Sequence, residues 1–307
     1  MARSAQAPGV VVMIRPHHFS PNPQTAPDNA FQQTAAASCP SAMASRAYDE
    51  VTRAATTLRE HGIDVRIFED EGRRTPDSVF PNNWFSTHSG GRIAIYPMYP
   101  HNRRHERRAD IIAMLKGEFR VRELVDYSGL EQDGIFLEGT GAMVLDHVER
   151  VAYAVQSNRT HPLALERFCS HFNYEPMLFQ AMDAGGKAVY HTNVLMCIAS
   201  EFVMIGLELI RDPCQRAAVR RRIEASGRLL IELSATQIAN FAANAIELQA
   251  REGAVLALSV RALASLTPEQ LGLLERSVTP LPLDVATIEL AGGSVRCMLA
   301  GIHLSPR

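Results

Sequence analysis

The sequence lacks a Cys-x-x-Cys pair, an apolar run long enough to span a bilayer, and any surplus of charge of one sign; it has a single tryptophan. Each absence removes a class of function. The five cysteines, Cys39, Cys169, Cys197, Cys214 and Cys297, are odd in number and widely spaced, which argues against a disulfide framework and a zinc knuckle. Free thiols, mostly buried, are expected instead. No stretch reaches the roughly 18 apolar residues of a membrane span, and Met1 to Gly9 holds no apolar h-region. A cytoplasmic chain with no membrane partner is the expectation. With 31 Lys and Arg against 33 Asp and Glu, nothing is left over to hold a polyphosphate backbone, so no nucleic acid is expected to bind. The Gly-x-Ser-x-Gly turn of serine hydrolases and the P-loop are missing too.

What is present is a chain of 307 residues, 46% apolar and 21% charged, with ample material for a core. Val10–Ile14 reads as a strand that ends at Arg15-Pro16, followed by a long loop rich in Pro, Asn and His reaching to about Pro40. From Arg46 to His61 the apolar residues recur at helical spacing, Gly62 stops the helix, and Ile63–Ile67 alternates as a strand. The same order returns down the chain. Helix starts near residues 46, 105, 162, 212 and 267 give a period of about 50 to 60 residues, the last opened by Thr267, Pro268 and a capping Gln270. Five such units closed in a ring would bring their loops to a central pocket; an open α/β sheet with insertions is the plainer alternative.

Polar clusters punctuate the loops and strand ends. Asp77, Asn82, Asn83 and Trp84 lie together between Pro-bounded turns, though Asn and Asp are ordinary turn residues. An apolar stretch ends at Glu138 and runs into Gly139-Thr140-Gly141, where glycines permit either a hairpin or a close approach to a ligand. Arg159 closes another predicted strand. His191 and Asn193, two residues apart at the entry to an apolar strand, are expected on one face. Near the end, Gly292-Gly293-Ser294-Val295-Arg296-Cys297 delivers a cysteine that is nucleophilic only with a lowered pKa or a neighbouring base, for which His191 and Glu138 are the candidates.

In this order the segments Ile14-Arg15-Pro16, Phe80–Trp84, Leu137–Gly141, His191-Thr192-Asn193 and Gly292–Cys297 resemble the guanidine-modifying (amidinotransferase and deiminase) superfamily. Within it they look most like the branch called citrulline utilization hydrolases, near the dimethylarginine dimethylaminohydrolases. The resemblance implies an α/β pentein fold, a propeller of five ββαβ units, as one catalytic domain over residues 1–307. It places the nucleophile on Cys297, the acid/base histidine on His191 and the catalytic carboxylate on Glu138. It further implies that Arg159 and one of Arg103 or Arg104 grip the carboxylate of an amino-acid substrate, and that no metal or cofactor takes part.

Three departures stand out. Gly141 replaces the last aspartate of the family's Glu-Gly-Gly-Asp motif, and Asn83 and Asn193 replace aspartates that face guanidinium groups in relatives. An asparagine amide both donates and accepts, whereas a carboxylate only accepts. The site therefore leans toward a neutral ureido group, with Asp77 keeping a guanidino substrate open. The expected reaction is citrulline to ornithine, carbon dioxide and ammonia through an S-carbamoyl-cysteine. The rivals are a deiminase or dimethylaminohydrolase of arginine derivatives, an amidinotransferase, and a non-catalytic pentein binding module. A small-molecule amino acid is the expected partner, and a homodimer is compatible with the sequence.

Overall fold

Five three-stranded sheets carry out the repeat seen in the sequence. The computed structural model describes residues 5–33, 40–183 and 185–307, so Cys39 falls outside the described residues. The first elements are β1 (Val10–Pro16), α1 (Pro40–Glu60) and β2 (Asp64–Asp70). They are followed by β3 (Phe85–His88), β4 (Arg92–Ile95), α2 (Ala109–Glu118) and β5 (Glu123–Asp126). A helical turn α3 (Gly139–Ala142) leads into β6 (Met143–Asp146), β7 (Val151–Val155), α4 (Pro162–Phe172) and β8 (Glu175–Phe179). The fourth unit is β9 (Met196–Ile198), β10 (Phe202–Ile205), α5 (Pro213–Glu224) and β11 (Leu229–Glu232). The fifth follows α6 (Ala235–Ala239) and comprises β12 (Ile246–Ala250), β13 (Gly253–Ser259), α7 (Val260–Ser265), α8 (Pro268–Leu274) and β14 (Thr279–Leu283). Last come the short turn α9 (Val295–Met298) and β15 (Ala300–Gly301).

In every unit the middle strand is antiparallel to the inner one and parallel to the strand that returns from the helix. A parallel return needs a crossover, which the helices supply. The first unit is assembled from both ends of the chain: β15 pairs with β1, Val11 opposite Gly301. The ring is thus closed by its last strand, which the spacing of helices did not reveal. Neighbouring inner strands touch, β15 against β3, β6 against β9 and β9 against β12, and so surround an axis. The result is the pentein α/β propeller.

The helices cover the outside because their apolar stripes demand it. On α1, Met43, Ala47, Val51, Ala54, Ala55 and Leu58 are buried, and Gly62 at φ +85° ends the segment. Asp212 caps α5, and Thr267 with Gln270 forms the expected capping box on α8. The second helix starts at Ala109, later than the apolar pattern suggests, because residues 101–106 form a 3₁₀ turn. Strand β5 likewise begins only at Glu123, since Phe119 and Arg120 pair with Pro306 and Ser305 instead. Of the described cysteines, Cys169, Cys197 and Cys297 are buried free thiols and Cys214 is exposed.

Three histidines sit where the inner strands β3 and β6 and the C-terminal segment meet. His147 and His303 lie with ring centroids 4.1 Å apart, their planes tilted by 33°, and His88 lies 6.2 Å from His147. Burial drives all three below the ordinary histidine range, His303 to about 4. A depressed folded-state pKa means that the unfolded chain takes up protons first as the pH falls. Their contribution is therefore complete above the ordinary pKa near 6.5 and is lost on acidification through the folded value. The urea midpoint is expected to fall between pH 7.5 and pH 4.5, and His303→Asn to flatten that fall by about 1–2 kcal/mol after allowing for partial solvent screening. A pH profile identical in the variant would remove His303 from this account.

Candidate active site

The five connections between units converge on one place. Asp77 and Asn83 lie between β2 and β3, Glu138 between β5 and β6, His191 and Asn193 between β8 and β9, Asn244 between β11 and β12, and Cys297 between β14 and β15. Connections from a middle strand to its helix add Asn22, Asp28 and Asn29 from the first unit, Arg103 from the second and Arg159 from the third. Sequence separations of up to 275 residues, Asn22 to Cys297, are thus erased by the ring.

Cys297 is aimed by its own turn. Gly292 takes the left-handed conformation, φ +81°, and a Cβ there would stand 2.4 Å from the Asn29 amide. The Tyr190 hydroxyl donates to the Gly292 carbonyl, and the Ser294 amide donates to Asn244 Oδ1 at 3.1 Å. Cys297 Sγ then accepts from Asn193 Nδ2 and Asn244 Nδ2, both at 3.3 Å. Burial pushes the thiol up, and the Asn244, Ser294 and Asn193 donors with the Arg296 charge only partly offset it.

His191 Nε2 lies 2.8 Å from Glu138 Oε2. Burial would raise Glu138, but Arg159, His191 and Arg103 outweigh it and hold the carboxylate down at about 2. For His191 burial wins over the pull of Glu138, and the ring falls to about 4. A neutral ring facing an acceptor-only carboxylate carries its proton on Nε2. Nδ1 is then left as a basic lone pair. His191 and Cys297 line the same cavity with Asp77, Phe80, Arg103 and Arg159. That cavity holds only about 10 Å³, roughly one water.

Two acceptors near Cys297 have no partner among the described residues. Asp77 Oδ2 accepts from Asn22 Nδ2 at 2.8 Å, but Asp77 Oδ1 and Asn193 Oδ1 are buried and unpartnered. Burial raises Asp77 from the ordinary carboxylate range, against the Arg103 charge and the Asn22 amide. Asn83 is committed on both sides: its Oδ1 accepts from Arg103 Nη1 at 2.9 Å and its Nδ2 donates to Asn82 Oδ1 at 3.0 Å. The arginines are forked onto protein carboxylates. Arg103 holds Glu106 through two bonds of 2.9 Å, and Arg159 holds Asp28 at 3.0 and 2.6 Å while approaching Glu138 at 3.4 Å. Arg104 turns away toward the Met98 carbonyl and Glu131.

Cys297, His191, Glu138, Asp77, Asn83, Asn193, Arg103 and Arg159 are therefore brought together, and Arg104 is not. One local expectation is corrected: Thr192–Val194 is a 3₁₀ turn, so His191 and Asn193 do not share a face by strand alternation. They meet at the site because that turn wraps Asn193 under Sγ. Asn244 and Asp28 were not singled out from the sequence. The signal for Asn244 was the repeat itself, since four of the five inter-unit connections had already yielded a polar candidate. Among the described residues, no three His, Cys, Asp or Glu side chains are grouped to hold a metal ion.

The glycine that stands for the family aspartate has a geometric reason. A Cβ on Gly141 would lie 2.2 Å from Asn83 Nδ2 and 2.8 Å from His191 Nδ1, so the imidazole and the amide occupy the space an aspartate would need. Gly141→Ala is expected to cost about 1–3 kcal/mol of stability, as overpacking does, measured by urea unfolding. A variant as stable as the parent would show that the ring and the amide can move aside freely.

Comparison with known proteins bears on this arrangement. No curated protein sequence matches the chain. ArgZ, an arginine dihydrolase from the ornithine-ammonia cycle in cyanobacteria, matches in structure with a TM-score of 0.72 at 17% identity over 97% of this chain and 41% of its own. Unliganded AgrE gives 0.75 at 15% identity, over 97% of this chain and 40% of its own. The chain thus spans about two fifths of those two proteins. DDAH from Pseudomonas aeruginosa, a cysteine-to-serine mutant complexed with citrulline, gives 0.63 at 14% identity over 96% of this chain and 100% of its own. Such low identities speak for the shared fold. The sequence profile described as N,N dimethylarginine dimethylhydrolase, eukaryotic, matches residues 15–304, nearly the whole ring, and the chain accordingly belongs to that family of the guanidine-modifying pentein superfamily.

Proposed function

We propose that the chain is a cysteine hydrolase of C–N bonds in the head group of an arginine-type amino acid, with a guanidino group as its first substrate. The observation that carries this is the unpartnered Asp77 Oδ1, a carboxylate oxygen of the pocket that Cys297 lines. A guanidinium is rich in N–H donors and positively charged, so it suits that acceptor. It also brings a cation next to a thiol that burial has raised, which favours the reactive thiolate. A neutral ureido group supplies no such charge. ArgZ, named as an arginine dihydrolase, and DDAH, complexed with citrulline, share this fold, which supports an amino acid of the arginine or citrulline type.

In this reading each residue has one role. His191 Nδ1 takes the thiol proton, and Glu138 stabilises the imidazolium formed. The thiolate attacks the guanidino carbon; the C–N bond breaks and the leaving amine takes its proton from His191. Water, deprotonated by His191, then attacks the S-bound intermediate, and the thiolate leaves with release of the ureido product. Arg159 takes the substrate's carboxylate in this reading, exchanging Asp28 for it as the cavity of about 10 Å³ widens to admit an amino acid.

The ureido reading stays as a second one because Asn193, a neutral amide, touches Sγ where relatives carry a charge. There the amine would leave as ornithine and the S-carbamoyl group would hydrolyse to carbamate, hence carbon dioxide and ammonia. The deciding assay measures ammonia, citrulline and ornithine released from L-arginine, methylarginines and L-citrulline, with Cys297→Ser as control. Turnover of a guanidino substrate, lost in the control, is expected; turnover of citrulline alone would hand the role to the ureido reading. Asp77→Asn is expected to lower kcat/KM for the guanidino substrate by about two orders of magnitude and for citrulline by much less. Equal losses on both would mean that Asp77 does not distinguish the head groups.

A further inference from the structure

A second cavity lies on the axis of the ring, behind the turn that carries Cys297. Inner strands of all five units line it, through Thr87, Leu145, Cys197, Glu247 and Gly301. It shares no lining residue with the Cys297 pocket, and the single step from Cys297 to Arg296 passes from one to the other. Its volume is about 50 Å³, room for a few waters or one small anion.

Arg296 is the anomaly. Of its five N–H donors, one is used among the described residues, Nη1 to the Leu299 carbonyl at 3.0 Å, and the side chain has no carboxylate partner there. The buried arginines are all paired: Arg103 with Glu106, Arg159 with Asp28, Arg228 with Asp146 at 2.6 and 3.0 Å. Arg296 is half-buried, and a guanidinium partly withdrawn from bulk water without a counter-ion is left for water or an anion in the cavity to satisfy. The one carboxylate lining the cavity, Glu247, is turned to Ser200, accepting from its amide at 2.7 Å and its hydroxyl at 2.8 Å. His147 and His303 also line the cavity, and His147 is tied by Nδ1 to the Tyr174 hydroxyl at 2.8 Å. Positive and donor groups thus face a cavity in which, among the described residues, the one lining carboxylate is committed elsewhere.

We infer that the axial cavity is a binding site for a small oxyanion, held by the free edge of the Arg296 guanidinium with His147 and His303 beside it. A planar fork of N–H groups matches two oxygens of such an ion. The inference does not rest on the reading of the Cys297 pocket.

Two measurements on the full chain test it. Calorimetric titration with inorganic phosphate at constant ionic strength is expected to show one saturable site per chain, retained in Cys297→Ala and weakened about tenfold or more in Arg296→Gln. Crystals of the unaltered protein soaked in selenate are expected to show an anomalous peak at Arg296. Absence of saturable binding, a peak confined to the Cys297 pocket, or an Arg296→Gln chain that binds as tightly would overturn the inference. The selenate position decides the matter even where Arg296→Gln does not fold.

Discussion

Glu138 remains a carboxylate in a place where burial alone would protonate it, because Arg159, Arg103 and His191 surround it. Everything at the centre of the ring depends on that compensation. Charges taken out of water survive only when each has a partner in good geometry, and removal of one partner strands the rest. Here the partners come from different units: Arg103 follows β4, Glu138 follows β5, Arg159 follows β7 and His191 follows β8. The network therefore ties the units together electrostatically at the centre. Four apolar clusters, each shared between neighbouring units, join them elsewhere.

The division of labour between connections is regular. Links from one unit to the next carry the candidate groups for chemistry, Asp77, Glu138, His191, Asn193 and Cys297. Links within units carry the arginines and the Asn22–Asn29 loop that sits over them. Identical backbone topology, repeated with almost no sequence identity, thus supplies a fixed frame in which each connection is free to hold a different chemical group.

Much of this was legible in the sequence. The fivefold pattern followed from helix starts and caps, because amphipathic spacing and N-cap chemistry are local properties. Cys297, His191, Glu138 and Asp77 stood out as residue types able to do hydrolytic chemistry, and the structure gathers them. What escaped depended on distance. The pairing of β15 with β1 involves two residues at the far end of the chain and has no local signature. The amide of Asn83 read as a free donor and acceptor, yet Arg103 and Asn82 consume it. Asn244 lies in an apolar Phe-Ala-Ala-Asn run whose meaning appears only when the ring places it under Sγ.

The strand that closes the ring is two residues beyond the turn that holds Cys297, with Cys297 in α9 and Ala300 opening β15. The pairing that joins the two ends of the ring is therefore also the nearest sheet anchor of that thiol, so loosening of β15 from β1 would be felt first at the turn that aims Cys297.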